Sequence, residues 1–161
     1  MKKEKIKLVG STYFKSPSRN FAFIKKNGET VGRMEYEFKA DEDWKKGNKA
    51  VKWNKKSDVT LHKLDVDMEH RGKGYGKTGL LKKHQTLKKR GVKRIYLFPS
   101  PSLYGQRFVS QAKLYKFYGK LGYRRTKDWK LKENPNKLYG VRHGSKKKGG
   151  WSLMKKVLKR K

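Results

Sequence analysis

The sequence predicts an α/β chain of the α+β kind: a central mixed, mostly antiparallel twisted sheet of about six to seven strands flanked by helices. Three observations predict it. Short runs of apolar–polar alternation recur along the chain, two apolar patterns at helical spacing stand between such runs, and three glycines, Gly72, Gly74 and Gly76, fall where one strand becomes a helix. At 161 residues a single domain over 1–161 is expected, large enough to bury roughly two-thirds of its unfolded surface around one core.

Residues 5–9 and 21–25 alternate as short strands, and Lys26-Asn27-Gly28-Glu29 separates the second from Val31 to Phe38, which predicts an antiparallel hairpin. Residues 39–56 are charged and poor in aliphatics, hence a loop with room for a helical turn near Trp44. Val59 to Val66 alternates and then turns apolar, as a central strand would. From Lys77, Leu80, Leu81, His84 and Leu87 share one helical face amid Lys82, Lys83, Lys88 and Lys89, and Gly91 is placed to end the helix after Arg90. Val92 to Phe98 forms a compact strand closed by Pro99-Ser100-Pro101. Leu114, Phe117, Tyr118 and Leu121 mark a second helix over 111–121 ending at Gly122. Tyr123 to Trp129 and Trp151 to Val157 read as two last strands around a basic loop, 134–150, expected to be mobile.

Charge is the other strong signal: 46 Lys and Arg oppose 13 Asp and Glu, a net +33. Residues 1–69 hold 17 basic and 11 acidic side chains, whereas residues 70–161 hold 29 basic and only two acidic ones, Asp128 and Glu133. The C-terminal half is a polycation that draws polyanions and repels itself. An A/T-rich coding bias would also enrich lysine, but it should raise Asn and Ile as well, and the chain has six Asn and three Ile. The absence of cysteine excludes disulfides, thiolate nucleophiles and Cys-based metal sites. His62, His70, His84 and His143 show no helical metal-ligand pairing, so no metal is expected. No stretch approaches the roughly 20 apolar residues of a membrane span, and the Lys-rich start leads into Ile6-Lys7-Leu8-Val9 rather than a signal-peptide core, which predicts a soluble, cytoplasmic protein with no membrane partner.

The block Arg71-Gly72-Lys73-Gly74-Tyr75-Gly76 can turn main-chain N–H groups inward, and the first amides of the following helix lack intrahelical partners, so together they can cradle a pyrophosphate. A tight turn that binds nothing has the same composition. Gly76-Lys77-Thr78 would finish a P-loop, but position 71, where its first glycine belongs, is Arg71. Gly74, Gly76 and Gly79 fit a dinucleotide fingerprint, yet no acid lies between Glu69 and Asp128 to hold a ribose. What survives is [Arg/Gln]-x-x-Gly-x-Gly opening a helix after a strand, followed downstream by Phe117-Tyr118-Gly119-Lys120-Leu121-Gly122-Tyr123.

In these two blocks and their order the chain resembles the GNAT superfamily of acyl-CoA-dependent N-acetyltransferases, over about residues 5 to 158. The resemblance implies acetyl-CoA or another acyl-CoA as cosubstrate and a GNAT-like sheet whose central strand pair splays. It implies that Leu64, Asp65 and Val66 pair with the pantetheine arm, and that the loop amides of Arg71, Gly72, Lys73, Gly74, Tyr75 and Gly76, with Lys77, hold the pyrophosphate. Tyr118 is then the candidate general acid near the thioester sulfur; Tyr115 lacks the Gly-aromatic pair five residues on. The chain departs from the family at Gln111 and Leu114, where Asn and Ala are common, and in a longer 99–110 segment. The bland alternative for Tyr118 is a packed helix aromatic.

The implied reaction is attack of a neutral amine on a thioester carbonyl, which needs a base or proton wire, an oxyanion donor and an acid near sulfur. A backbone N–H near Leu64 to Val66 suits the oxyanion. His62 suits the base, since an imidazole titrates near neutrality, though it can also be a sheet-surface residue; Asp65 and Glu69 are alternatives. For the acceptor, the charge favours an amine on or near a nucleic acid, RNA or DNA, with Lys82, Lys83, Lys88, Lys89, Arg90, Arg124, Arg125, Lys146, Lys147 and Lys148 meeting phosphates. Tyr104, Trp129, Tyr139 and Trp151 could stack on bases or simply pack. A free small amine or a protein is a second acceptor class, and a GNAT-like nucleic-acid binder without catalysis a third reading.

Overall fold

The computed structural model describes residues 5–11, 19–38, 54, 56–97, 99, 109–131 and 151–158. They form one seven-stranded sheet in the order β1-β2-β3-β4-β5-β7-β6, with β1 Ile6–Ser11, β2 Arg19–Lys26, β3 Glu29–Glu37, β4 Asp58–Val66, β5 Arg94–Leu97, β6 Arg124–Leu131 and β7 Trp151–Val157. Every neighbouring pair is antiparallel except β4–β5. Two helices, α1 Tyr75–Lys89 and α2 Gln111–Lys120, connect β4 to β5 and β5 to β6. The loop at 134–150 lies outside the described residues.

Local chemistry accounts for the elements. Asn27 and Gly28 both take positive φ, 50° and 96°, so the two-residue turn between Lys26 and Glu29 has the twist a hairpin requires. Residues Asp58 to Leu61 are buried without alternation, as befits a strand flanked on both sides and covered on both faces. The helix expected from Lys77 begins two residues earlier, so Gly76 lies in its first turn. Gly91 and Gly122, at φ 84° and 85°, stop the two helices where the sequence places them. The strand expected over 92–98 starts only at Arg94, because the Val92 amide is still bonded to the Leu87 carbonyl of the helix end, and Phe98 lies outside the described residues.

Helix α1 lies across β1 to β4 and turns Leu80, His84 and Leu87 inward. These meet Ile24, Met34, Val59 and Ile95 in the core, which Tyr118, Leu121 and Tyr123 extend toward β7. Each such aliphatic removed from water contributes about 1.5–3 kcal/mol.

Candidate active site

The opening in the sheet follows from the pairing registers. Among the described residues β4 meets β5 from Asp58↔Arg94 to Leu61↔Leu97, while β4 itself runs on to Val66. On its other side Leu61 pairs with Tyr36 and Lys63 with Glu35, so His62 is an extra residue, a bulge placed where the β5 partner ends. Among the described residues the end of β4 is therefore paired on the β3 side alone. The Asp67 amide donates to Val31 of β3. Main-chain direction alternates along a strand, so the Leu64 and Val66 amides point to the open edge and that of Asp65 toward β3. This corrects one expectation: Leu64 and Val66 can offer main-chain groups to a pantetheine arm, whereas Asp65 spends its own on the sheet. The Asp65 carboxylate lies 3.8 Å from Lys63 and 3.6 Å from Arg71.

A 3-10 turn, Met68–His70, leads from β4 to the glycine loop. Gly74 caps α1 with φ 82° and ψ 3°, a left-handed conformation that a side chain rarely adopts. The first intrahelical bond runs from the Thr78 amide to the Gly74 carbonyl, so the amides of Tyr75, Gly76 and Lys77 stand before it at the positive end of the helix. A Cβ on Gly76 would stand 3.1 Å from Cγ2 of Val66, so glycine lets the helix start close against the open strand. No acid lies in this first turn, and Lys73 and Lys77 are exposed beside it. These features fit the diphosphate of coenzyme A. Two side chains of the loop act differently: Arg71 donates from Nε to the Val66 carbonyl at 2.8 Å and so ties the loop to the end of β4, and Tyr75 is buried against His70 and Lys26.

Helix α2 is capped by Ser110, whose hydroxyl accepts from the Lys113 amide, and it turns Tyr118 into the core. The Tyr118 ring packs edge-on against Phe117 and Tyr123, with centroids 5.0 Å and 5.6 Å away. Burial pushes its phenol well above the ordinary tyrosine range, so the proton stays on. Tyr115, the rival, carries the Arg125 guanidinium 3.8 Å above its ring. The Tyr123 hydroxyl lies 2.8 Å from Nε2 of His84, which links α1 to the chain entering β6. His84 is held neutral, with a pKa lowered to about 3 by burial and by nearby Lys156.

His62 is on the other side of the sheet. Lys83 Nζ stands 3.7 Å over the Tyr36 ring, so Tyr36 faces α1 and its neighbour Glu37 faces away. Nε2 of His62 lies 3.1 Å from Oε2 of Glu37. Candidate acid and candidate base thus stand on opposite faces, with the open strand edge belonging to both. Glu37 was invisible to sequence reasoning: it is 25 residues from His62, and only the strand register brings them together. Glu69, the other alternative base, is exposed and points to His70 at 3.5 Å. Glu29, Glu69 and His70 bring ligand atoms within 4.8 Å of one another, a grouping with no sequence spacing behind it; with both acids exposed it assigns no metal.

The expected cationic face is partly present. Lys82, Lys89, Arg90, Arg124 and Arg125 are exposed and Lys88 is half-buried. Lys83 must be removed from it: only 6 % exposed, it turns inward over Tyr36, and burial first, then the Arg90 charge, lowers its pKa to about 8. Lys146, Lys147, Lys148, Tyr104 and Tyr139 lie outside the described residues, as do the side chains of Trp129 and Trp151.

A family model described as the acetyltransferase (GNAT) family matches residues 3–123. The chain belongs to the GNAT acetyltransferase family. The glycine loop and the Tyr118 block both fall inside the match. No curated protein matches the chain. In fold this GNAT chain is similar to the PaiA N-acetyltransferase of Thermoplasma acidophilum, solved with coenzyme A, at 17% identity and a TM-score of 0.51, covering 87% of this chain and 61% of that one. An acetyltransferase of Thermus thermophilus is 19% identical at a TM-score of 0.51, with 88% and 66% covered. An aminoglycoside 6'-N-acetyltransferase complexed with coenzyme A is 19% identical at a TM-score of 0.57, with 90% and 76% covered. The chain thus spans about three-fifths to three-quarters of the length of these structures. No helix among the described residues is long and apolar enough to cross a membrane.

Proposed function

We propose that the protein is a single-domain, cytoplasmic N-acetyltransferase that moves the acyl group of acetyl-CoA, or another acyl-CoA, to an amine carried on or near a nucleic acid. The observation that supports the transfer is the coincidence of the splayed β4 edge, the glycine-lined start of α1 and a buried, protonated Tyr118 in one chain. The acyl-CoA supplies the activated carbonyl and the thiolate leaving group. Around it, the loop amides hold the diphosphate, the Leu64 or Val66 amide faces the carbonyl oxygen, Tyr118 holds its hydroxyl proton for the sulfur, and His62 receives the proton of an ammonium acceptor. Calorimetry should show acetyl-CoA binding to the full chain, and no heat of binding removes the transfer reading.

The acceptor assignment rests on charge. Lys82, Lys89, Arg90, Arg124 and Arg125 are exposed on a half of the chain that carries only two acids, and such a surface releases counterions when it meets phosphates. Anisotropy with a labelled RNA and a labelled duplex DNA should show affinity falling by about 10³-fold or more between 50 and 200 mM salt, the loss expected for six or more phosphate contacts. A salt-independent signal, or none, transfers the assignment to a free small amine or a protein. Should acetyl-CoA fail to bind while the nucleic acid binds, the chain is a GNAT-fold binder without catalysis.

A further inference from the structure

We propose that Glu37 is a positioning residue for His62, fixing the imidazole so that Nδ1 presents its lone pair at the mouth of the splayed strands. The inference rests on the acyl-transfer reading and adds to it a residue and a tautomer. Its first support is the contact itself. Nε2 of His62 is 3.1 Å from Oε2 of Glu37, and Glu37 is 8 % exposed, so the carboxylate is shielded enough for the hydrogen bond to orient the ring. Its second support is the bulge. Leu61 shares the α1 face with its partner Tyr36, whereas Lys63 faces Glu35 on the far side, and these two residues stand on opposite faces only because His62 is inserted between them. Alternation from Leu61 puts the imidazole on the Glu37 side, and the bulge leaves it with no directly opposed β3 residue, one position past the last β4–β5 pair among the described residues. Among the described residues His62 makes no other hydrogen bond, and Nδ1 is not sealed from solvent.

The tautomer follows from the acceptor-only character of a carboxylate: Nε2 must carry the hydrogen that Glu37 accepts, which leaves Nδ1 basic. An ammonium acceptor, R–NH3+, gives one proton to Nδ1, which passes it to solvent. The neutral nitrogen attacks the thioester carbonyl; the C–N bond forms, the C–S bond breaks with its electron pair on sulfur, and the second nitrogen proton leaves as the sulfur gains one. The products are the amide, free coenzyme A thiol and one released proton.

The test uses the full-length chain labelled with 15N and long-range proton–nitrogen NMR of the His62 ring at a pH where it is neutral. The parent is expected to show the Nε2–H form alone, Glu37→Gln to retain most of it, since the amide carbonyl still accepts, and Glu37→Leu to lose it to a mixture. An Nδ1–H parent, or the same tautomer in Glu37→Leu, overturns the proposal. In parallel, transfer from labelled acetyl-CoA into a cell extract is measured by mass spectrometry for Glu37→Leu, His62→Gln and the double variant. Expected is a loss of about 10-fold or more for each single change, with the double variant no worse than His62→Gln, because a residue acting only through His62 has nothing left to lose. Losses that multiply make Glu37 a structural residue and overturn the role. If acetyl-CoA does not bind, the transfer reading fails and takes the catalytic use of the pair with it, while the tautomer still decides the geometry.

Discussion

Replacing Asp58 by Ala is expected to destabilise the protein by about 1.5–3 kcal/mol, the loss of charge-assisted hydrogen bonds from a buried carboxylate to a half-exposed guanidinium. Asp58 is fully buried at the start of β4. Its Oδ1 accepts from Nε of Arg94 at 2.8 Å and its Oδ2 from Nη2 of Arg94 and from the Asn54 amide, both at 2.8 Å. This is the bidentate geometry in which guanidinium and carboxylate bind best, and the hydrogen bond raises the Arg94 pKa still further. The position matters as much as the strength. Asp58↔Arg94 is the first of four registered pairs between β4 and β5 among the described residues, so the ion pair ties the two strands at one end and Leu61↔Leu97 is the last of the four. Loosening that tie widens a gap whose width must match a pantetheine arm, so acetyl-CoA affinity should fall along with stability. Urea unfolding measures the first effect, read at constant slope, and calorimetry the second. A loss under about 1 kcal/mol would mean that water already satisfies the pair, as at a surface bridge.

What the sequence made legible and what it hid divide along a physical line. Asn27-Gly28, Gly74, Gly91 and Gly122 are visible because positive φ is a property of one residue and its neighbours, and the structure uses each of them as a turn or a helix boundary. The α1 and α2 stripes are visible because a helical face is written within a dozen residues. Side-chain partners set by register are not. Glu37 finds His62 through the β3–β4 register, diagonally from its partner Thr60, which no local pattern announces. Lys83 looked like one more outward lysine on a cationic helix, and only the aromatic beneath it explains why it turns in. Arg71 stood in the right place for a phosphate, but its guanidinium donates to the Val66 carbonyl, on the edge of β4 that faces away from β3. The insertion of β7 between β5 and β6 likewise depends on contacts made by the C-terminal strand far from its own neighbours in sequence.

Tyr118→Phe is expected to lower turnover by about 10²-fold, about 2.7 kcal/mol of transition-state stabilisation, with acetyl-CoA affinity little changed. The substitution removes one hydroxyl and leaves the ring packed between Phe117 and Tyr123, so a loss of that size would not come from the fold. Burial sets the kind of help the hydroxyl can give. A phenol raised well above its ordinary value is a weaker acid than a thiol, whose pKa is about 8.5, so handing the proton fully to a thiolate runs uphill. The hydroxyl can instead donate a hydrogen bond to the sulfur as negative charge develops there, and in a dry site that bond strengthens only in the transition state. Turnover in the parent should then stay free of any loss from Tyr118 ionisation up to the alkaline limit of folding, because the group does not release its proton in that range. A tyrosine acting as a full proton donor from an ordinary pKa would instead shut the reaction down near pH 10. Parent and variant turnover measured from pH 7 to 10 separates the two. Equal turnover at every pH makes Tyr118 a packing residue, and a parent rate that collapses near pH 10 while the protein stays folded returns it to the role of a conventional acid.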